Sequence, residues 1–491
     1  MRDLVIFFYD KRGPMKSRFF LTAGFALSLL CAACSDDSAS INPIDAGKDD
    51  GKVAEDTVTH MNPNVETENG ATFETKGSGY SDDFGGRVGD VRAIYDSYDS
   101  YKGGAMVEAG YDESFGSPDV YTTVSESYTP IDYEVLTPMP AEGSYNGKTH
   151  GLLTASEWND LDHWGSWAEI LTGEFADKTS YWKFFPTTLA VVKVVDKDGA
   201  ALANVSVELL KGDEVEFATK TDNTGRAYCW VNLFDGSTQK SLNAEEFSLK
   251  VNGKVSEATI EFTLKSDNAL KINVITSDAK QPEAKADVAF IVDATGSMGD
   301  EIQFLKSDIK YIIDHAHSDT KVALRSAVEF YRDESDEYII QGKDFSTDVA
   351  NTQAFIADHF ADGGGDYPEA VHTALESALQ NFSWNESARS RIAFLILDAP
   401  AHHQDDVIES LQESIILYAK NGIKLIPVAA SGVDKDTESM LRFFEIVTGG
   451  TYVFLTDDSG IGYSHIEASV GDHDVEKLAD LMVRLIKKYV E

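Results

Sequence analysis

Two apolar runs, each ending in an aspartate, limit the folds open to this chain. Val288-Ala289-Phe290-Ile291-Val292 leads into Asp293, and Ile392 to Leu397 leads into Asp398. A strand that is apolar at every position is covered on both faces, which is the habit of parallel sheets flanked by helices. The intervening sequence supplies those helices. Met298, Ile302, Leu305, Ile309 and Ile312 step by four and three, giving one apolar face. Pro368 suits a first helical turn ahead of Val371, Leu375, Ala378 and Phe382. Further helices are expected from about Val407 to Lys420, from Thr437 to Val447 before Gly449-Gly450, and from Val475 onward. Strands are expected at Val322 to Phe330, Tyr338 to Gln341, Ile423 to Ala429 and Thr451 to Leu455. Residues 285–491 are therefore expected to form a doubly wound α/β domain with a mostly parallel sheet. Ligand sites in such sheets lie at the carboxyl ends of the strands, where Asp293 and Asp398 fall although about 100 residues separate them.

The segment Asp293-Ala294-Thr295-Gly296-Ser297 presents one acid and two hydroxyls, all oxygen donors suited to a hard divalent cation. These residues resemble the first motif, Asp-x-Ser-x-Ser, of the metal-ion-dependent adhesion site in von Willebrand factor type A domains, with Thr295 in place of the first serine. Asp398 resembles the third motif of that family, an aspartate after a hydrophobic strand. Gly364-Gly365-Asp366-Tyr367-Pro368-Glu369 resembles the region of the second motif, with Asp366 where a threonine is usual. Tyr331-Arg332-Asp333 and Asp398-Ala399-Pro400 are similar to a bacterial and extracellular-matrix subgroup. The resemblance implies that Asp293, Thr295, Ser297, Asp366 and Asp398 hold Mg²⁺, or Mn²⁺ or Ca²⁺, and that the domain binds a protein or matrix ligand. Three aspartates carry more charge than a dication neutralises, so capture of an acidic ligand should be weaker than with the threonine. The plainer alternative for these acids is solvated loop charge or helix capping. His402 and His403, just past Asp398, are expected in a loop or supporting role, and Glu369 and Asp300 outside the primary ligand set.

Ahead of this domain the chain changes character twice. Met15-Lys16-Ser17-Arg18, an apolar stretch from Phe19 to Leu30 and Cys31-Ala32-Ala33-Cys34 make a secretory signal, too short to span a membrane. It resembles a bacterial lipoprotein signal with Cys34 lipidated, although Cys31 stands where leucine is usual; translation from Met15 rather than Met1 suits it better. This implies residues 1–33 as leader and an outer-membrane, surface-exposed protein held by acyl chains. Residues 34–150 are polar, acidic and rich in Gly, Ser, Asp and Tyr, so they are expected to form a largely disordered tether. In residues 151–186, Thr154-Ala155-Ser156-Glu157 has the pattern of a helix capping box. Trp158, Leu161, Trp164, Trp167 and Leu171 follow at helical spacing, as a core face in preference to a carbohydrate platform. Residues 187–276 alternate with period two between turn signals, suggesting a small all-β sandwich similar to the carboxypeptidase-regulatory or transthyretin-like type.

Charge narrows the partners. The chain has 83 acidic and 42 basic residues, a formal net charge of −41, and loss of the leader's five basic and two acidic side chains would take it to −44. Such a surface repels nucleic acid and anionic lipid. With Cys34 acylated, only Cys229 would remain, in an apolar run, as a buried strand residue. A binding module is the expected function, ahead of a structural or assembly role. A Mg²⁺-dependent hydrolase of haloacid-dehalogenase type is expected least, because Thr295 stands where that family's second aspartate should supply the general acid.

Overall fold

The computed structural model describes residues 70–76, 151–236, 242–461, 465 and 467–491, all within the unit Met61–Glu491. The expected leader, Cys34 and most of the expected tether lie outside the described residues. One piece of that stretch is not a linker. Strand β1 (Thr72–Thr75) pairs antiparallel with Ile340 to Lys343, and the Lys343 amine donates to Gly70 O at 3.1 Å.

The capping-box reading at Thr154 is corrected as well. Thr154–Trp158 is a strand, β2, between Tyr452 to Leu455 on one side and Glu476 to Lys477 on the other. The Thr154 hydroxyl donates to Thr456 O at 3.2 Å and Glu157 receives Arg484 at 2.8 Å, so neither is left to cap a helix. Two short helices follow, α1 (Trp164–Ile170) and α2 (Lys178–Trp182). Trp164, Trp167 and Trp182 are all buried. Their indole N–H groups donate to Leu264 O, Pro186 O and Asp436 O at 3.0 Å each, so the tryptophan stripe is core.

The next segment carries β3 (Thr188–Val195), β4 (Ser206–Lys211), β5 (Glu214–Lys220), β6 (Arg226–Trp230), β7 (Phe247–Val251), β8 (Lys254–Val255), β9 (Thr263–Leu264) and β10 (Ile272–Thr276). They form two four-stranded sheets, one ordered β10-β3-β6 with β9 also on β3, the other β5-β4-β7-β8. Buried Val191, Leu209, Cys229 and Leu249 from these sheets join one apolar cluster with Leu411, Ile415, Phe443 and Phe444 of the C-terminal helices.

The C-terminal part contains β11 (Lys285–Asp293), α3 (Ile302–Asp319), β12 (Ala323–Tyr331), β13 (Ile340–Ser346), α4 (Val349–Ala357), α5 (Val371–Asn381), β14 (Ser390–Leu397), α6 (Asp405–Asn421), β15 (Ile423–Ala429), α7 (Lys435–Thr448), β16 (Tyr452–Leu455), β17 (Glu476–Lys477) and α8 (Leu478–Val490). Among the described residues the sheet has nine strands in the order β1-β13-β12-β11-β14-β15-β16-β2-β17. Strands β12, β11, β14, β15 and β16 run parallel, whereas β1, β13, β2 and β17 pair antiparallel at the two margins. The sheet is therefore mixed, with its parallel part confined to the centre. Alternation along β11 sends Ala289 and Ile291 to the cluster under α5–α7, and Val288, Phe290 and Val292 to a second cluster under α3 and α8. Helices on both faces leave the carboxyl edge of the sheet open for a site. No helix among the described residues is long and apolar enough to cross a membrane.

Candidate metal centre

Strand β11 ends in Asp293, fully buried, and the chain then turns through a short 3-10 segment, Gly296–Asp300. Asp293 Oδ1 accepts from Thr295 N at 2.9 Å and from Thr295 Oγ1 at 2.7 Å. Thr295 Oγ1 lies 3.2 Å from Ser297 Oγ, and the Ser297 hydroxyl hydrogen-bonds Asp398 at the end of β14. Four of the five expected ligands, Asp293, Thr295, Ser297 and Asp398, thus form one connected group. Gly296 and Ser297 are exposed, so the group has a face toward solvent.

The fifth, Asp366, sits in the loop between α4 and α5. Its side chain is exposed and, among the described residues, makes no hydrogen bond to the other four. The loop backbone nevertheless lies against them. Gly296 N donates to Gly363 O at 3.1 Å, and Asp362 N donates to Ala294 O at 3.0 Å. Gly363 and Gly364 have φ of +79° and +75°, and a Cβ on Gly363 would collide with the Asp336 carboxylate, so glycine is needed for this approach. Tyr367 fixes the far end of the loop, its hydroxyl accepting from Asp434 N at 3.1 Å.

A further acid was not expected among the central groups. Glu369 is buried, Glu369 N donates to Pro400 O at 2.9 Å, and its Oε2 has no partner. Burial, then repulsion from Asp293, Asp333 and Asp398, pushes its pKa up to about 10. Asp293 and Asp398 are likewise raised, first by burial. Asp293 is set against the buried Tyr331 hydroxyl, and Asp398 Oδ1 is buried without a hydrogen bond. A carboxylate cluster desolvated in this way is costly unless a cation offsets it. The residues present therefore fit a divalent ion, with two carboxylates and two hydroxyls in its donor set. Among the described residues no three His, Cys, Asp or Glu side chains converge tightly enough to hold an ion by themselves.

The surrounding groups support this set. His402 Nε2 lies 2.8 Å from Asp333 Oδ1, a supporting contact. His403 turns away, stacked on Tyr181 with Nε2 2.9 Å from Tyr181 O. Glu301 accepts from Ser431 N at 3.2 Å, joining the start of α3 to the loop after β15. Tyr331-Arg332-Asp333 was visible in the sequence as a motif. The roles of Glu369 and Glu301 were not, because only the folded topology brings their loops together.

Residues 287–434 match the family model of the von Willebrand factor A domain, and the chain contains such a domain. It is 31% identical over 133 residues to a putative ariadne-like RING finger protein of Acanthamoeba polyphaga mimivirus, a match covering 27% of this chain and 13% of that protein. It is 26% identical over 188 residues to an alpha-protein kinase of Dictyostelium discoideum, covering 35% and 29% respectively. The matches thus span less than a third of either relative's length. Among solved structures, proximal thread matrix protein 1 from the mussel byssus aligns at 17% identity and a TM-score of 0.29, over 42% of this chain and 47% of that one. A second structure of that protein, with a zinc-occupied MIDAS motif, aligns at 17% identity and a TM-score of 0.32, over 44% and 54%.

Proposed function

We propose that the C-terminal domain is a divalent-cation-dependent binding module that takes a protein or matrix ligand, carried on the outer face of a bacterial envelope by a lipid on Cys34. The observation that carries the metal reading is the pair of strand-end carboxylates, Asp293 and Asp398. Both are buried, Asp398 keeps an oxygen without a partner, and the Thr295 and Ser297 hydroxyls link them. In this reading Asp293, Thr295, Ser297 and Asp398 hold Mg²⁺, Mn²⁺ or Ca²⁺, and Asp366 reaches it from the exposed loop. The bound ion supplies a Lewis-acidic position for a ligand oxygen. The chain's own part is to fix its oxygens through the Thr295 amide and to keep the exposed side open at Ser297. Tyr367 holds the Asp366 loop against the start of α7.

Calorimetric titration of the full chain with Mn²⁺, Mg²⁺ and Ca²⁺ tests the metal step. Saturable binding that Asp293→Ala abolishes is expected; equal binding by that variant would overturn the reading. Pull-down from matrix or cell surface with and without EDTA tests the adhesive step. Metal-independent capture would favour a structural or assembly role. Hydrolysis of a generic phosphoester, lost in Asp293→Ala, would favour an enzyme.

A further inference from the structure

At the opposite end of the C-terminal sheet lies a cleft whose charge runs against that of the whole chain. It opens where β5 and β6 meet the amino ends of β14 and β15. Its wall contains Lys220, Arg226, Arg389, Arg391 and Lys424, with Asp222 as the lining acid. Five cations facing one carboxylate in a chain of net charge −41 call for an explanation. Arg391 lies seven residues before Asp398 along β14, so the cleft is roughly 23 Å from the candidate metal centre.

Not all of these cations are engaged within the fold. Arg391 is buried and committed, Nε to Asn421 O at 2.9 Å, Nη1 to Asn385 O at 2.8 Å and Nη2 to Asn204 Oδ1 at 2.6 Å. Lys424 is also committed, donating to Gly449 O at 2.6 Å with Asp222 Oδ2 at 3.3 Å. Asp222 is itself occupied, its Oδ1 accepting from Thr224 N, Thr224 Oγ1 and Arg226 N within its own turn. The Arg226 side chain is engaged by the Tyr228 hydroxyl, and two groups remain over. Arg389 Nε is buried without a partner, and the Lys220 amine makes no hydrogen bond or ion pair among the described residues. Burial, and then Arg391 beside it, pulls the Lys220 pKa down to about 8, while Glu386 acts in the other direction. The fold thus tolerates cationic repulsion here that an anion would relieve.

We propose that this cleft binds a single tetrahedral oxyanion head, phosphate or sulfate, with Lys220 and Arg389 as its donors and Arg226, Arg391 and Lys424 as the surrounding positive field. Guanidinium and ammonium groups together suit such an ion, the first by its fork geometry and the second as a point charge. The enclosed volume is small, about 20 Å³, which excludes a chain of phosphates. A bound anion would tie β5 and β6 to the base of β14 and β15, joining the small sheets to the domain.

The test is calorimetric titration of the full chain with inorganic phosphate and with sulfate, set beside the double variant Lys220→Gln, Arg389→Gln. These two side chains carry no hydrogen bonds that the fold depends on, so the variant should keep the wild-type melting temperature or exceed it without anion. Saturable one-to-one binding by the wild type, weakened at least tenfold in the variant, is expected. No saturable heat in the wild type, or the same affinity in both chains, would overturn the proposal. The second result would mean that the ion binds elsewhere on the chain. O-phospho-L-serine then separates two forms of the supported outcome. Competition with phosphate indicates a head group carried on a larger molecule, and failure to compete indicates the free ion.

Discussion

Asp293 makes the sharpest case for residue-level chemistry, because the same carboxylate burdens the metal-free fold and is needed by the metal-bound one. It is fully buried, with the Tyr331 hydroxyl beside it and Asp398 as a neighbouring charge. Asp293→Asn keeps an Oδ1 acceptor for the Thr295 amide and removes the charge. Its melting temperature in EDTA should therefore equal or exceed that of the wild type. The stabilisation by Mn²⁺, about 2.7 kcal/mol at a hundredfold excess over Kd, should vanish. Differential scanning fluorimetry in EDTA and in Mn²⁺ reads both effects; loss of stability in EDTA would mean that the carboxylate serves the fold. Asp366 gives a second prediction. With a threonine there, the ion keeps more of its charge for an incoming ligand. Asp366→Thr should strengthen binding of an acidic peptide in Mn²⁺ several-fold, and weaker binding in calorimetry would count against the ligand set.

Between elements, buried charges decide how the pieces are held. Arg442 on α7 reaches Asp160, just past β2, through Nε at 2.9 Å and Nη2 at 2.5 Å, and both side chains are buried. Removing one partner of such a pair strands the other, so Asp160→Ala should cost about 3–5 kcal/mol in chemical denaturation. Asp308 on α3 accepts from Gly151 N at 2.6 Å, and burial pushes its pKa up to about 7. An acid whose folded pKa is raised binds more protons folded than unfolded between the two values. Its contribution therefore favours the fold at low pH and is lost as pH climbs from about 4 to about 7. Asp308→Asn keeps the acceptor and should melt several degrees above wild type at pH 8, with the gap closing toward pH 5; a gap independent of pH would refute the linkage. What was legible in the sequence follows from how local each signal is. The central strands and helices α3, α6 and α7 could be read because their periodicity is set by neighbours in sequence. Thr154 to Glu157 misled because the same four residues satisfy a capping rule locally and a strand ladder with β16 and β17 at a distance of about 300 residues. β5 keeps the period-two pattern, Phe217 and Thr219 facing inward between Glu216, Ala218 and Lys220. At the site, Asp293 and Asp398 declared themselves by ending apolar strands. Glu369 lies in a loop and gains its place only from its packing behind Thr295 and Gly364.

For the whole molecule, the charge of −41 and the proposed ligand capture pull in opposite directions. The chain holds 83 acidic against 42 basic residues, so its field repels an acidic partner well before any oxygen reaches the ion. That repulsion is screened by salt, with a Debye length of about 30 Å at 0.01 M and about 8 Å at 0.15 M. Contacts made at the site are short and partly shielded from solvent, and they respond much less. An acidic peptide should therefore associate faster as salt rises, the reverse of the usual case of opposite charges, while its dissociation rate stays nearly constant. A ligand with one exposed carboxylate set in a basic surround should show the opposite slope and bind more tightly at low salt. Stopped-flow association in Mn²⁺ across that salt range distinguishes the two. If an acidic and a basic-surround peptide show the same salt slope, the field of the chain does not select its partner, and the acidic surface must be explained by solubility alone.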